Sequence, residues 1–260
     1  MSNQDDDDDK IKKLLDDAHA TGALSKQSLA ALDVIDIGAQ IQAGLGVSID
    51  DVAASEVVLL TMMPDDSSSI ASAGNTEAVR DGHNLVLEAL AKSKQAGEVL
   101  AHTRYLNGDV LFPYIALQNA KTMTSLNYNP CHGTPLFDQT VVLLGTVIAK
   151  AQELAQAGIA VRTVTLIITD GGDFGSTRCR PADVAALVRD MLAQENHVVA
   201  AMGIHDGTTD FKAVFRSMGI PDRWILTPGN SASEIRRAFQ VFSQSAVRAA
   251  AGAQLGGFSN

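Results

Sequence analysis

The sequence predicts an α/β fold: a doubly wound, mainly parallel six-stranded sheet with helices on both faces. Two patterns carry this expectation. Short, nearly continuous apolar runs at 57–62 and 161–169 suit strands buried on both faces of a parallel sheet. Between and after them lie stretches with apolar residues at helical spacing, so that strands alternate with helices.

In chain order, the acidic, polar residues 1–10 come first, with five aspartates at 5–9 supplying half of the formal net charge of −10. Such a run, closed by Lys10, suits an expression tag or a native acidic tail, and is expected to be disordered. Residues 11–52 form an expected helical extension. Leu14, Leu15 and Ala18, then Leu29, Leu32 and Ile35, recur at helical spacing, and Gly22, Gly44 and Gly46 punctuate the pattern. Its apolar stripe must be buried somewhere, and it is expected to dock away from the ligand-binding edge of the sheet.

The main domain is expected over 53–250. The strand at 57–62 is followed by a polar loop, then by a helix bearing Val79, Val86 and Leu90. Asn107-Gly108 is a hairpin signal joining strands at 98–106 and 110–115, which makes the latter the one antiparallel strand. Gly133-Thr134-Pro135 reads as a helix start, with Thr134 as N-cap and Pro135 in the first helical position. Leu136, Leu143, Val147 and Leu154 continue that helix to Gly158. After the strand at 161–169 come a helix at 181–195, a strand at 197–204, a short helix at 210–218, a brief strand at 224–227 and a helix at 231–249. Residues 251–260 read as a flexible tail.

Composition narrows the function. Hydrophobic residues make up 46% of the chain, enough for one substantial core. No apolar run is long enough to span a bilayer. The N-terminus lacks the basic start and apolar stretch of a secretory signal, so a cytoplasmic location is expected. An acidic body argues against a nucleic-acid footprint. The two cysteines, Cys131 and Cys179, are expected as free thiols with no disulfide framework; a redox role is the other reading. His83, His102, His197 and His205 show no zinc-ligand spacing. Neither a Gly-x-Ser-x-Gly elbow nor a Gly-rich phosphate loop is present.

Ligands of such sheets collect at the carboxyl ends of the strands. Three loops there carry hard oxygen groups: Asp65-Asp66-Ser67-Ser68-Ser69, Gly133-Thr134, and Asp170-Gly171-Gly172-Asp173. Mg²⁺ takes oxygen ligands in octahedral geometry and keeps some waters. Asp65, Ser67, Ser69, Thr134 and Asp170 are therefore the candidate metal ligands, with Mg²⁺ expected and Mn²⁺ or Ca²⁺ as alternatives. A site rich in neutral hydroxyls leaves the cation electrophilic and able to take a carboxylate from outside. The plainer readings are a helix cap for Thr134, solvated loop acids or groups standing behind the ligands for Asp66 and Asp173, an ordinary loop histidine for His132, and a core or edge residue for Trp224.

This order of Asp-x-Ser-x-Ser, then Thr, then Asp resembles the metal-ion-dependent adhesion site (MIDAS) of von Willebrand factor A domains, a Rossmann-like fold. The resemblance covers roughly residues 53–250 and looks closest to bacterial intracellular members. Ser68 replaces the glycine usual between the two serines, and Asp66 adds charge beside the first ligand. The resemblance implies a protein-interaction module, not an enzyme, whose bound cation grips an exposed Asp or Glu of a partner protein. It also implies work within multi-protein assemblies, some containing AAA+ ATPases. The rival reading is a metal-dependent phosphoryl hydrolase using the Asp65-Asp66 pair. Asp65 is expected at a solvent-facing strand end, so that Asp65→Ala would spare the fold.

Overall fold

The computed structural model describes residues 3–33, 37–253 and 256–258, with side chains described from Asp9 onward. Ile35 of the helical stripe therefore lies outside the described residues, as do 254, 255, 259 and 260 of the tail.

Six strands form one sheet: β1 (Glu56–Met63), β2 (Val99–Arg104), β3 (Val110–Ala116), β4 (Ala160–Thr169), β5 (His197–Gly203) and β6 (Ile225–Leu226), in the order β3-β2-β1-β4-β5-β6. All neighbours are parallel except β2 and β3. β1 lies beside β4 with Val58 opposite Arg162 and Met62 opposite Leu166. The apolar runs are thus central strands, and the Asn107-Gly108 hairpin supplies the single antiparallel one. In β1 every residue after Glu56 is buried, as burial on both sheet faces requires.

Helices α5 (Thr76–Ala91) and α9 (Ala232–Ala250) pack together, and α9 meets β1 and β4. Their approach needs Gly82, where a Cβ would lie 2.0 Å from the buried Phe239 ring. Helix α6 (Leu136–Gln156) packs on β1 and β4, and α7 (Pro181–Ala193) on β5. The short helices α4 (Ser68–Ser72) and α8 (Phe211–Ser217) follow β1 and β5.

Helix α6 is buried over most of its length, as a helix covered on both sides must be. Its outer side is covered by the extension: α1 (Asn3–Ala20), α2 (Lys26–Leu32) and α3 (Ile37–Leu45). The apolar stripe Ile11, Leu14, Leu15 and Ala18 is buried there. Polar contacts fix the dock. Lys150 of α6 is fully buried and donates to Glu153 Oε2 at 2.8 Å and to the Val47 carbonyl at 2.5 Å, while Lys10 donates to Glu153 Oε1 at 2.8 Å. Asp190 of α7 accepts from the Ser25 amide and the Ser28 hydroxyl. After α3 the chain meets the edge strand: Val47 N donates to the Tyr114 carbonyl at 2.8 Å. Gly46 permits this, because its φ is +65° and a Cβ would lie 2.0 Å from that same carbonyl oxygen.

Two terminal expectations are corrected. Residues 5–9, expected as part of a disordered tail, lie within α1, whose buried apolar stripe follows them. In the expected flexible tail, Phe258 packs edge-on against Trp224 with ring centroids 5.2 Å apart, and its amide donates to the Arg223 carbonyl. Trp224 is buried.

Three buried histidines give the fold an acid-sensitive limb. Burial holds His83 and His197 at about 4, and burial with the Arg104 charge holds His102 at about 3. Above the ordinary histidine value of about 6.5 both folded and unfolded states are neutral. Below it the unfolded chain binds protons that the folded chain refuses, so stability falls from about pH 6.5 toward 4. His197→Asn should flatten the pH slope of the urea midpoint by up to about 1.4 kcal/mol per pH unit relative to the parent. That difference cancels the carboxylate contributions common to both proteins; identical slopes would show that His197 protonates freely in the fold.

Candidate metal centre

Because β1, β4 and β5 are parallel, their carboxyl ends share one edge of the sheet. Asp65 follows β1 after Pro64, and Asp170 follows β4 directly. Asp65 is completely buried. Its Oδ1 accepts from the Ser67 amide at 2.7 Å; its Oδ2 accepts from the Thr169 hydroxyl at 2.7 Å and the Asp170 amide at 3.4 Å. The Tyr128 hydroxyl donates to its carbonyl. This corrects the solvent-facing placement: Asp65 ties the first loop to the end of β4, so truncating it removes bonds inside the protein.

Ser67 is buried at the N-cap of α4, and its Oγ lies 2.8 Å from Ser69 Oγ. Ser69 is exposed and donates to Asp170 Oδ1 at 2.6 Å. One chain of hydrogen bonds thus joins Ser67, Ser69 and Asp170, with Asp65 beneath it. Ser68, where glycine was the usual residue, is exposed at the first position of α4 and displaces none of these groups.

Thr134 reaches the same edge through its backbone. His132 forms a parallel bridge with Ser67, and two residues later Thr134 forms an antiparallel bridge with Phe174. The Thr134 amide donates to the Phe174 carbonyl at 3.0 Å, and the Thr134 carbonyl accepts from the Phe174 amide at 2.8 Å. Its expected role as N-cap is corrected. Pro135 holds the cap position, α6 begins at Leu136, and the free amides of the first turn are taken from another loop. Ser176 Oγ accepts from Phe137 N at 3.0 Å and Asp138 N at 3.1 Å, and Asp173 Oδ1 accepts from Phe137 N at 3.2 Å. In exchange, Asp138 accepts from the amides of Thr177, Arg178 and Cys179. Asp173, expected as a solvated acid or a group behind the ligands, is thus a helix cap.

Of the two readings of Asp66, the solvated acid is excluded, since the residue is 3% exposed. Its Oδ1 accepts from Asn107 N at 3.0 Å and its carbonyl from the amides of Cys131 and His132, so it stitches the hairpin and the 131–134 loop to the first loop. The His132 ring, half exposed, stands 3.9 Å from Asp66 Oδ2.

The edge concentrates negative charge. Burial pushes Asp66 and Asp170 up to about 6 and raises Asp65 as well. The charges of Asp65 and Asp206 push Asp170 further in the same direction. Two contributors escaped the sequence reading: Thr169, the last residue of β4, and Asp206, which follows β5. The position of Asp206 just beyond a strand end was the available signal. Burial would raise the Asp206 carboxyl, but the hydroxyls and amides of Thr208 and Thr209 hold it well below the usual range.

Among the described residues no group of three or more His, Cys, Asp or Glu side chains is arranged to hold a metal. The donors gathered here are instead hydroxyls mixed with carboxylates. They fit a hard divalent cation: all are oxygens, those of Ser67, Ser69 and Asp170 lie within hydrogen-bond distance in a chain, the backbone bridge brings Thr134 to the same edge, and the acids are held against burial and each other with a net deficit of positive charge. Cys131 is exposed and Cys179 buried, both as free thiols. No single helix among the described residues is long and apolar enough to cross a membrane.

No protein-family model matches the chain, and no curated protein matches it in sequence. Solved structures do match in fold. Proximal thread matrix protein 1 from the mussel byssus superposes with a TM-score of 0.53 at 14% identity, over 74% of this chain and 46% of that one. A further structure of that protein, with a zinc-occupied MIDAS motif, gives the same values. The pilus adhesin SpaC from Lactobacillus rhamnosus GG, in its open conformation, matches with a TM-score of 0.52 at 13% identity, over 75% of this chain and 30% of that one. The chain thus spans less than half the length of these neighbours.

Proposed function

We propose that this chain is a metal-ion-dependent protein-interaction module. Its Asp65, Ser67, Ser69, Thr134 and Asp170 hold a divalent cation, Mg²⁺ in the first place, against which an exposed Asp or Glu of a partner protein docks. The observation that carries this reading is the continuous chain of Ser67 Oγ, Ser69 Oγ and Asp170 Oδ1 at 2.6–2.8 Å above the buried Asp65. A fold neighbour with a zinc-occupied MIDAS motif supports a divalent ion at such an edge.

When bound, the cation supplies a coordination position for an incoming carboxylate. The chain's own residues do the rest. Thr169, the Ser67 amide and the Asp170 amide hold Asp65 rigidly. The Phe174 bridge holds Thr134. Ser69, the exposed member, offers its hydroxyl at the surface where a partner arrives. The same bonds disfavour the hydrolase alternative: both oxygens of Asp65 are engaged and the residue is completely buried, so it is not presented as a nucleophile.

Titrating Mg²⁺ into EDTA-treated protein tests the proposal. Saturation at a hundred times Kd should stabilise the fold by about 2.7 kcal/mol, seen as a rise in Tm. A Tm indifferent to Mg²⁺, Mn²⁺ and Ca²⁺ at millimolar concentration would remove the metal from the reading.

A further inference from the structure

Apolar side chains in this protein are almost all covered. Among the described residues, two large ones stand out in water: Leu126, 95% exposed, and Phe174, 79% exposed. Both belong to the loops that build the metal edge. Phe174 is the bridge partner of Thr134. Leu126 lies two residues before Tyr128, whose hydroxyl holds the Asp65 carbonyl.

Neither side chain owes its exposure to a loose loop. The Phe174 backbone is fixed by both hydrogen bonds of its bridge to Thr134. The Leu126 turn is built around Asn127: its Oδ1 accepts from Thr124 N at 2.7 Å, its Nδ2 donates to the Thr122 carbonyl at 3.0 Å, and its carbonyl accepts from the Tyr105 hydroxyl at 2.5 Å. The Leu126 amide donates to Thr124 Oγ1 at 3.2 Å. Ordered backbone that holds a leucine and a phenylalanine in water gives the fold nothing, but it presents anchors whose ordering cost is already met before a partner arrives.

We infer that Leu126 and Phe174 are the apolar anchors of the docking surface, and that the partner is a polypeptide presenting its acidic side chain between apolar ones. This rests on the metal-dependent reading above. The charge pattern of the edge agrees: Asp65, Asp66, Asp170 and Asp206 gather there, so a partner carboxylate is accepted only where a cation lies between, further acids beside it are repelled, and the exposed Leu126 and Phe174 select apolar flanks.

The test uses the full chain and fluorescent peptides. One peptide carries a central Glu flanked by Leu and Phe, a second the same Glu flanked by Ser, and a third the apolar flanks around Gln. Each is titrated in Mg²⁺ and in EDTA against the parent, Phe174→Ala and Leu126→Ala. The apolar-flanked Glu peptide should bind in Mg²⁺ at least about tenfold tighter than the Ser-flanked one, each variant should lose about tenfold of that binding, and Leu126→Ala should bind Mg²⁺ alone as the parent does. Mg²⁺-dependent and Glu-dependent binding that ignores the flanks and both variants would overturn the anchors and leave the metal grip standing. Equal binding of the Gln peptide, or binding unchanged by EDTA, would overturn the metal grip and this inference with it. Failure of every peptide to bind overturns the inference too. So does Mg²⁺-dependent self-association lost in Phe174→Ala, which would put a second copy of the chain on this surface.

Discussion

Glu153→Ala is expected to destabilise the fold by about 3–5 kcal/mol, the usual cost of removing one partner of a buried ion pair. The cost falls on Lys150. Its side chain has no exposure, and its ammonium bonds to Glu153 Oε2 and the Val47 carbonyl. Burial lowers the Lys150 pKa, and the Glu153 hydrogen bond and charge oppose that shift. Burial likewise works against the Glu153 carboxylate, but bonds from Lys10 and Lys150 outweigh it and hold its pKa below the usual range. Without Glu153 the ammonium keeps a single carbonyl inside an apolar helix layer. Lys10 is different: it is half exposed and is rehydrated on losing its partner, so Lys10→Ala should cost less than about 1 kcal/mol. Urea midpoints compare the variants. The volume-conserving pair Lys150→Met with Glu153→Leu should recover most of the loss, because it removes both charges together. A cost below about 1 kcal/mol for Glu153→Ala would mean that Lys150 does not depend on it.

Asp170→Asn should change stability in opposite directions with and without metal. In EDTA the variant should melt higher than the parent. Asp170 is buried beside Asp65 and Asp206, all of one sign, and asparagine keeps an acceptor for Ser69 at nearly the same shape. Relief of burial and repulsion is worth on the order of 1–2 kcal/mol. In saturating Mg²⁺ the order should reverse, because the parent gains binding free energy that the variant has lost; calorimetry should show Mg²⁺ affinity reduced about a hundredfold or more. A variant that stays above the parent in Mg²⁺ would remove Asp170 from the ligand set. Asp65→Ala is a poorer probe, since its loss also leaves the Ser67 amide without its acceptor and breaks the Thr169 bond that ties the first loop to β4.

The sheet was legible because its signals are local. A doubly buried parallel strand shows as an unbroken apolar run, and Asn107-Gly108 has few meanings other than a tight hairpin. The clustering of Asp65, Ser67, Ser69 and Asp170 was legible for the same reason: each lies just beyond a strand end, and parallel strands bring their ends together. The Thr134 cap was misread because a cap is a competition. Asp173 and Ser176, some forty residues along the chain, reach the amides of α6, and nothing in Gly133-Thr134-Pro135 shows that a rival is present. The buried cations are hidden in the same way. Lys150 and Arg104 sit on apolar elements and resemble any solvated side chain until the extension closes over them: Arg104 donates to the carbonyls of Gln40 in α3 and Gly108.

The seam where Val47 meets Tyr114 bears on how this protein avoids its own kind. A sheet six strands wide has two flanks, and an open flank is a template for another chain's backbone. On one flank, β6 is two residues long and offers little to pair with. On the other, β3 is long enough to recruit a foreign strand, but Val47 occupies the Tyr114 carbonyl. The extension is therefore a guard as well as a cover for α6. A chain shortened to begin at 53 would bare that flank together with the outer side of α6, and self-association through β3 is the hazard that follows.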